Sequence, residues 1–509
     1  MNMLKLLKRI LRIILSRTFI LAIIFLFQIV LLGFLIYKIG SGGIYVYFLF
    51  LILSIIESFF IINRKFNPAY KISWLVAIFA LPFFGFFFYA LFGRLKLTKR
   101  EKCKFEKEYL KLKEYSASKE KINLEDKDFI KVSKYISNTT LMPVFDKTES
   151  EYLSSGEVAF PKILEEIKKA KKCIFLEFFI VKDGVMWQSI YEILKEKVKE
   201  GVDVRLIYDD FGCLNKLKSS FPYELRRNGI KVATFNTLLP VLSMKINYRD
   251  HRKIIVIDGN VAFTGGMNLS DEYININSPF GYWKDSMILL KGEGVQNLTF
   301  MFLSMWKRCK REDFDFRDYS VKSDNVTDGF VQVFGDGPFT QEQSTEMTYM
   351  QIINEANHYV YITTPYLILD NEVLTSLKTA SLSGIDVRIV VPHIPDKKIV
   401  YMITQSYYQE LLDAGVKIYE YTPGFIHSKS IISDDTLGIV GSANFDYRSL
   451  YLHYEVSCML YDTSSLQDIK NDFLKTIEES EEIKRENLKK PNIFKKIFVS
   501  IIRVFSPMM

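Results

Sequence analysis

Between residues 150 and 480 the chain carries one pattern twice, and a duplication of this size constrains the fold more than composition does. "AKKCIFLEFFIV" (170–181) parallels "ANHYVYITTPYLI" (356–368), "GVDVRLIYD" (201–209) parallels "GIDVRIVVP" (384–392), and "NGIKVATF" (228–235) parallels "AGVKIYEY" (414–421). Each half alternates short β-rich apolar runs with amphipathic helical stretches such as 160–172 and 399–414, the pattern of an α/β layered lobe. The period is far too long for a solenoid. Two α/β lobes related by a pseudo-twofold axis are therefore expected, over 131–325 and 326–485, with a site on the axis.

Each half ends on the same motif. "HRKIIVIDGNVAFTGGMN" (251–268) and "HSKSIISDDTLGIVGSAN" (427–444) share their histidine, lysine, aspartate, glycine and asparagine at equal offsets. Two of the five histidines in the chain are used this way. Read as strands, the segments put His251 and Lys253 on one face, and likewise His427 and Lys429. Asp258 and Asp434 fall at the far end, which gives them a structural or long-range electrostatic part. A two-residue turn at Gly259-Asn260 pairs Asp258 with Val261 and sets His251 opposite Asn268. A turn at Asp435-Thr436 sets His427 opposite Asn444 in the same way. The motifs are thus read within 245–272 and 421–448.

Facing each other, the two copies gather two histidines, two lysines and two asparagine amides, a set suited to a phosphodiester. The lysines neutralise charge on phosphate oxygens. One imidazole attacks phosphorus while the other protonates the leaving oxygen and later deprotonates the incoming alcohol. No carboxylate cluster or metal spacing is read, so no metal or cofactor is expected. Each imidazole needs a partner for its second nitrogen, and Asp285 in "YWKDS" and Glu455 in "HYEVS" are the candidates. His358, His393 and His453 are read as structural. The five cysteines are scattered, without disulfide or metal spacing.

The first hundred residues differ from the rest. Hydrophobic content is 49%, and much of the excess lies there. The stretches 18–37, 44–62 and 72–92 each approach the roughly 20 residues that cross a bilayer, so residues 1–93 are expected to form a multi-pass membrane region. The positive-inside rule places the N-terminus and the 63–71 loop in the cytoplasm. A third span would then carry the basic segment after residue 93 outside, so either one stretch does not span or the rule fails once. Glu57 lies near the end of its stretch, an interfacial position. Residues 94–130 read as a charged, solvated helical connector, and 491–509 as a basic amphipathic helix lying on an anionic membrane surface. The net charge of +8 suits nucleic acid or an anionic membrane equally.

The paired H-x-K-x4-D motifs, each followed by G-[GS]-x-N, resemble the phospholipase D superfamily. Together with "PAYKISWLVAIFALPFFGFFFYALFGR" (68–94), "LEFFIVKDG" (176–184), "TPYLI" (364–368) and "ANFDYRSLYLHYEVS" (443–457), they are similar to the bacterial cardiolipin synthases. The resemblance implies that His251, Lys253, Asp258, His427, Lys429 and Asp434 are the active residues. It also implies that Arg448 holds a head group. It implies transfer of a phosphatidyl group from one phosphatidylglycerol to another through a phosphohistidine, at the cell membrane. The implied partners are phosphatidylglycerol and anionic lipids, with no nucleic acid. Transfer to water, a phosphatidylethanolamine donor, a nuclease and a non-catalytic scaffold are the alternatives. The family's two N-terminal helices correspond to 44–62 and 72–92; the stretch 18–37 is additional.

Overall fold

The computed structural model describes residues 44–93, 99–119, 122, 124–238, 247–323, 328–340, 342–488 and 492–508, with scattered residues between 23 and 38. Two compact units result. One comprises residues 1–99, 236–248 and 507–509; the other comprises residues 100–235 and 249–506.

The larger unit holds both lobes. The first lobe has strands β1 (Thr148–Leu153), β2 (Cys173–Phe178), β3 (Asp203–Asp209), β4 (Lys231–Phe235), β5 (Lys253–Ile257), β6 (Val261–Gly265), β7 (Tyr282–Lys284) and β8 (Met287–Gly292). The second has β9 (Phe330–Asp336), β10 (Tyr359–Thr363), β11 (Asp386–Pro392), β12 (Lys417–Tyr421), β13 (Gly424–Ile426), β14 (Ser430–Ser433), β15 (Leu437–Gly441), β16 (Glu455–Tyr461) and β17 (Ser480–Ile483). The first sheet runs β1-β8-β6-β5-β2-β3-β4. Read from its other edge, the second runs β9-β16-β15-β14-β10-β11-β12-β17, the same order with one strand added. In each, the β-α-β portion is parallel and the motif hairpin joins it antiparallel. The duplication read from the sequence is therefore a duplicated sheet. β2, β5, β14 and β15 are buried along their whole length, which is why they read as continuous apolar runs rather than alternating ones. The helices expected near 160–172 and 399–414 run Gly156–Lys169 and Lys398–Asp413.

The hairpin register differs from the two-residue turns expected. Ile257 pairs with Val261 and Ser433 with Leu437, so each loop has three residues and the ladder is shifted by one. The cause is the aspartate. Asp258 sits at φ 54° and Asp434 at φ 53°, a left-handed conformation that Asp tolerates better than most residues. The Asp258 carboxylate accepts N–H bonds from Lys171 (2.8 Å), Lys172 (2.6 Å) and Cys173 (2.9 Å). Asp434 does the same with Asn357 (2.6 Å), His358 (3.0 Å) and Tyr359 (2.8 Å). Each motif aspartate thus ties its loop to the first residues of the neighbouring strand.

The charged segment is helical as expected over Lys99–Ala117, and most of its described side chains face solvent. Tyr115 is the exception: it is buried, stacking on Phe300 at 4.7 Å and donating its hydroxyl to Asn297 (2.7 Å). The helix Lys127–Thr140 lies on β9, where Gln332 donates to the Met142 carbonyl (2.9 Å). The terminal helix Ile493–Phe505 packs on Lys398–Asp413, with the Arg503 guanidinium 4.0 Å from the centre of the Tyr407 ring.

In the smaller unit, Ile44–Ile62 is one helix of 19 residues, about 28 Å long. The stretch 72–92 is not one helix. Leu81 leaves helical conformation at φ −140°, and Pro82 starts a new helix, Pro82–Phe88, after Pro68–Ala80. Among the described residues no helix is long and apolar enough to cross a membrane. The stretch 18–37 lies mostly outside the described residues. Ile61, Trp74, Ile78 and Tyr89 form a small core, and Gly85 approaches so closely that a Cβ there would meet the Ile78 backbone at 2.5 Å. Glu57, expected at an interface, is buried.

Candidate active site

The two motifs meet because short segments of the lobes pair with each other. Asp250 forms a parallel bridge with Tyr454, with His251 N–H donating to the Tyr454 carbonyl (2.9 Å). On the other side β13 pairs in parallel with β7, and His427 N–H donates to the Lys284 carbonyl (2.6 Å). Each histidine is thereby delivered beside the residue that follows the pairing segment of the opposite lobe. That residue is an acid in both cases.

The result is a crosswise exchange. His251 Nδ1 lies 2.9 and 3.0 Å from the two Glu455 oxygens. His427 Nδ1 lies 2.6 Å from Asp285 Oδ2. All four side chains are buried. The sequence named both acids but not which histidine each serves; the exchange between lobes assigns them. Burial pushes the His251 imidazole down to about 3 against the pull of Glu455. Burial, then the Lys429 and Lys253 charges, hold His427 well below the usual histidine range. Burial opposes ionisation of Glu455, but His251 and Lys253 outweigh it and hold the carboxyl well below its usual range. The pair therefore rests as a neutral imidazole donating from Nδ1 to a carboxylate, with Nε2 available as a nucleophile or base. Asp285 differs: burial lifts it to about 6, with Lys429 opposing.

Lys253 and Lys429 are fully buried beside these pairs, and each ammonium donates to the carbonyl of its own motif histidine. Lys429 Nζ also lies 2.9 Å from His427 Nδ1. Burial pulls Lys253 down to about 7 and Lys429 to about 8, while Glu455 and Asp285 pull back. Cations with so little solvent are strong phosphate ligands, because an arriving anion meets a low local dielectric.

The remaining sequence candidates fall elsewhere. Asp258 and Asp434 stand at the far end of the hairpin strands, bound to backbone N–H groups as described. Asn268 is committed locally, accepting from Ile180 N–H (2.9 Å) and donating to the Tyr273 hydroxyl (2.7 Å). Asn444 donates to Asp446 (3.1 Å). Arg448 is partly buried on the short helix Tyr447–Tyr451. Burial lowers its guanidinium against the pull of nearby Asp446.

Three features went unread. Ser442 stands where the first motif has Gly266, and its hydroxyl donates to Glu455. At Gly266 any Cβ would meet Asp285 Oδ1 at 2.1 Å, so the first motif needs glycine there. His453, read as structural, has its Nδ1 3.8 Å from Glu455 Oε1 and its ring centre 5.5 Å from that of His251. Around His427 the corresponding space is aromatic, with Trp283 at 5.3 Å, Tyr273 at 5.6 Å and Phe425 at 5.8 Å. Aligning "YWKDS" with "HYEVS" on their acids puts His453 at the position of Trp283, and that was the available signal.

Twin lobes that exchange acids across a pair of histidines and buried lysines define a protein of the phospholipase D-like class. Known proteins agree. The family model described as "Cardiolipin synthase, PLD-like domain" matches residues 163–306 and 349–477, and "Phospholipase D-nuclease N-terminal" matches 44–94. Cardiolipin synthase 2 of Bacillus cereus is 38% identical over 459 residues, covering 88% of each chain. A cardiolipin synthase of a Geobacillus species is 38% identical over 457 residues, covering 88% of this chain and 90% of that one. The solved phosphatidylserine synthase of Haemophilus influenzae superposes with a TM-score of 0.56 over 74% of this chain and 98% of that one. Its 15% identity speaks for the fold alone. The chain belongs to the cardiolipin synthase family of phospholipase D-like proteins.

Proposed function

We propose that this chain makes cardiolipin from two molecules of phosphatidylglycerol. The crosswise His251–Glu455 and His427–Asp285 pairs carry the reading, since they supply a nucleophile and an acid–base group held by separate carboxylates. His251 Nε2 attacks the phosphorus of the first phosphatidylglycerol. The phosphorus–oxygen bond to the glycerol head breaks, and His427, protonated once the bound phosphate offsets the Lys429 and Lys253 charges that keep it neutral in the empty site, gives its proton to the leaving glycerol oxygen. A terminal hydroxyl of the second phosphatidylglycerol then gives its proton to His427 and attacks phosphorus, releasing His251. Lys253 and Lys429 balance the charge on the non-bridging oxygens throughout. His251 is assigned as nucleophile because Glu455 is held ionised, and an ionised partner stabilises the cationic phosphohistidine. Asp285, lifted to about 6, is the weaker stabiliser and suits the group that cycles its proton.

Membrane contact fits this substrate. In the smaller unit Phe48, Leu49, Ile52, Phe59, Phe60, Ile72 and Phe79 are exposed. On the terminal helix Ile493, Phe494, Ile497, Phe498 and Ile501 are exposed, Phe494 by 80%. We place both surfaces in the lipid interface of the cell membrane, with the N-terminal helices as the anchor.

Purified protein and phosphatidylglycerol labelled in the head glycerol test the reaction. The expected products are cardiolipin and free labelled glycerol in equal amounts. Phosphatidic acid in place of cardiolipin makes the chain a hydrolase; cardiolipin formed only with phosphatidylethanolamine present changes the donor. Acid-quenched protein treated with lipid labelled in the phosphatidyl group should carry the label on the His251 peptide. Label on the His427 peptide alone reverses the roles.

A further inference from the structure

The lobes differ in what lies beside each motif histidine. Two residues before its acid, the first lobe has Trp283 and the second His453. Both rings lie against the histidine served by that acid, at 5.3 Å and 5.5 Å between centres. An indole offers only an N–H donor, whereas an imidazole offers a metal-binding lone pair. One half of the site therefore has a third ligand and the other does not.

We propose that His251, His453 and Glu455 form a binding site for a zinc-like transition-metal ion, and that filling it shuts off phosphatidyl transfer. One donor atom from each residue lies within 4.8 Å of the other two, so a single ion reaches all three with small shifts. Zinc needs donors at about 2.0–2.2 Å, with imidazole and carboxylate among its preferred ligands. The second observation is His453 itself. Its side chain is 10% exposed, and neither ring nitrogen has a hydrogen-bond partner among the described residues, Nδ1 lying 3.8 Å from Glu455 Oε1. A metal–nitrogen bond satisfies such a lone pair. Glu455 is completely buried beside it.

The consequence for catalysis follows from which atom is taken. The ion bonds His251 Nδ1 after its proton leaves to solvent, and it draws Glu455 away from orienting that ring. His251 is then fixed by the metal rather than by the carboxylate, and its Nε2 is a poorer nucleophile. Lys253 faces the same carboxylate and opposes a second cation, which keeps the ion exchangeable. Magnesium and calcium prefer all-oxygen sites and should not bind here.

The test uses the full chain in detergent, stripped of metal with a chelator. Calorimetric titration with zinc chloride should show one ion per chain, and magnesium chloride none. Zinc should lower cardiolipin formation at least tenfold, and chelator should restore it. Cobalt(II) should give visible bands of a nitrogen–oxygen site. His453→Asn should weaken zinc binding and zinc inhibition at least tenfold. Absence of zinc binding by the stripped wild type, or undiminished binding by a folded H453N, overturns the proposal. A thiolate-to-cobalt charge-transfer band from the wild type also overturns it, whatever the variant does, because it places the ion on a cysteine. Direct binding needs no substrate, so this outcome is separate from that of the transfer reaction.

Discussion

The residues of the candidate site are arranged so that each histidine pairs with a carboxylate from the other half of the molecule. This predicts a pattern of coupling. Glu455→Gln keeps the shape but loses the charge, and should cut kcat by roughly 10²–10⁴-fold, as for other oriented imidazoles. Glu455→Gln and His251→Ala together should cost little more than His251→Ala alone, because members of one unit are not additive. Asp285→Gln should couple to His427→Ala in the same way. Coupling the other way round, Asp285 with His251, would contradict the exchange. The motif aspartates should behave differently. Asp258→Ala removes the acceptor of three backbone N–H groups, of which only that of Cys173 is on a buried residue, and puts alanine at φ 54°, so it should lower stability by about 1–2 kcal/mol, read as a shift in thermal unfolding. Its loss of activity should follow the loss of folded protein rather than a failed chemical step.

The same residues set the pH range. Asp285, lifted to about 6, protonates below that pH and releases its hold on His427. Lys253 and Lys429, pulled down to about 7 and about 8, are charged below those values and lose the charge as pH rises through them. The profile of kcat/KM should therefore be bell-shaped, with its maximum between the two limbs. A profile that stays flat through the alkaline range would show that lysine charge is not required.

At the scale of elements, the hairpins were legible in type but not in register. The apolar runs and their Asp-containing turns announced β5–β6 and β14–β15. The one-residue slip was not visible, because it follows from aspartates at positive φ that bind N–H groups about 80 residues earlier in the chain. A long-range contact of that kind has no local signature. The charged helix 99–117 was legible as a solvated helix, but its anchor was not, since one tyrosine among many charges fixes it to the lobe. The break at Leu81-Pro82 was legible as a proline and was passed over in favour of hydropathy. The terminal helix carries a prediction. Its Arg503 side packs on Tyr407, while Phe494, Ile497 and Phe498 are exposed. Changing those three to serine should reduce activity on bilayers more than on detergent-dispersed lipid, without lowering thermal stability. Equal losses in both assays would deny the helix a part in lipid contact.

At the scale of the molecule, the duplication told the most. It gave two lobes, a shared axis and the pair of basic motifs, all before any geometry. It did not say which acid serves which histidine, because that depends on β7 meeting β13 and on Asp250 meeting Tyr454. Both meetings occur within one chain, so the site should be complete in one chain. Mixing the His251→Ala and His427→Ala proteins should restore no activity; recovery on mixing would mean that lobes are exchanged between copies.

The partners in the first dyad are 204 residues apart in sequence, and Glu455 opens β16, late in the second lobe. On the proposed mechanism, a chain halted before β16 has His251 but lacks the carboxylate that orients it. The exchange of acids thus ties the onset of that chemistry to the arrival of the second lobe.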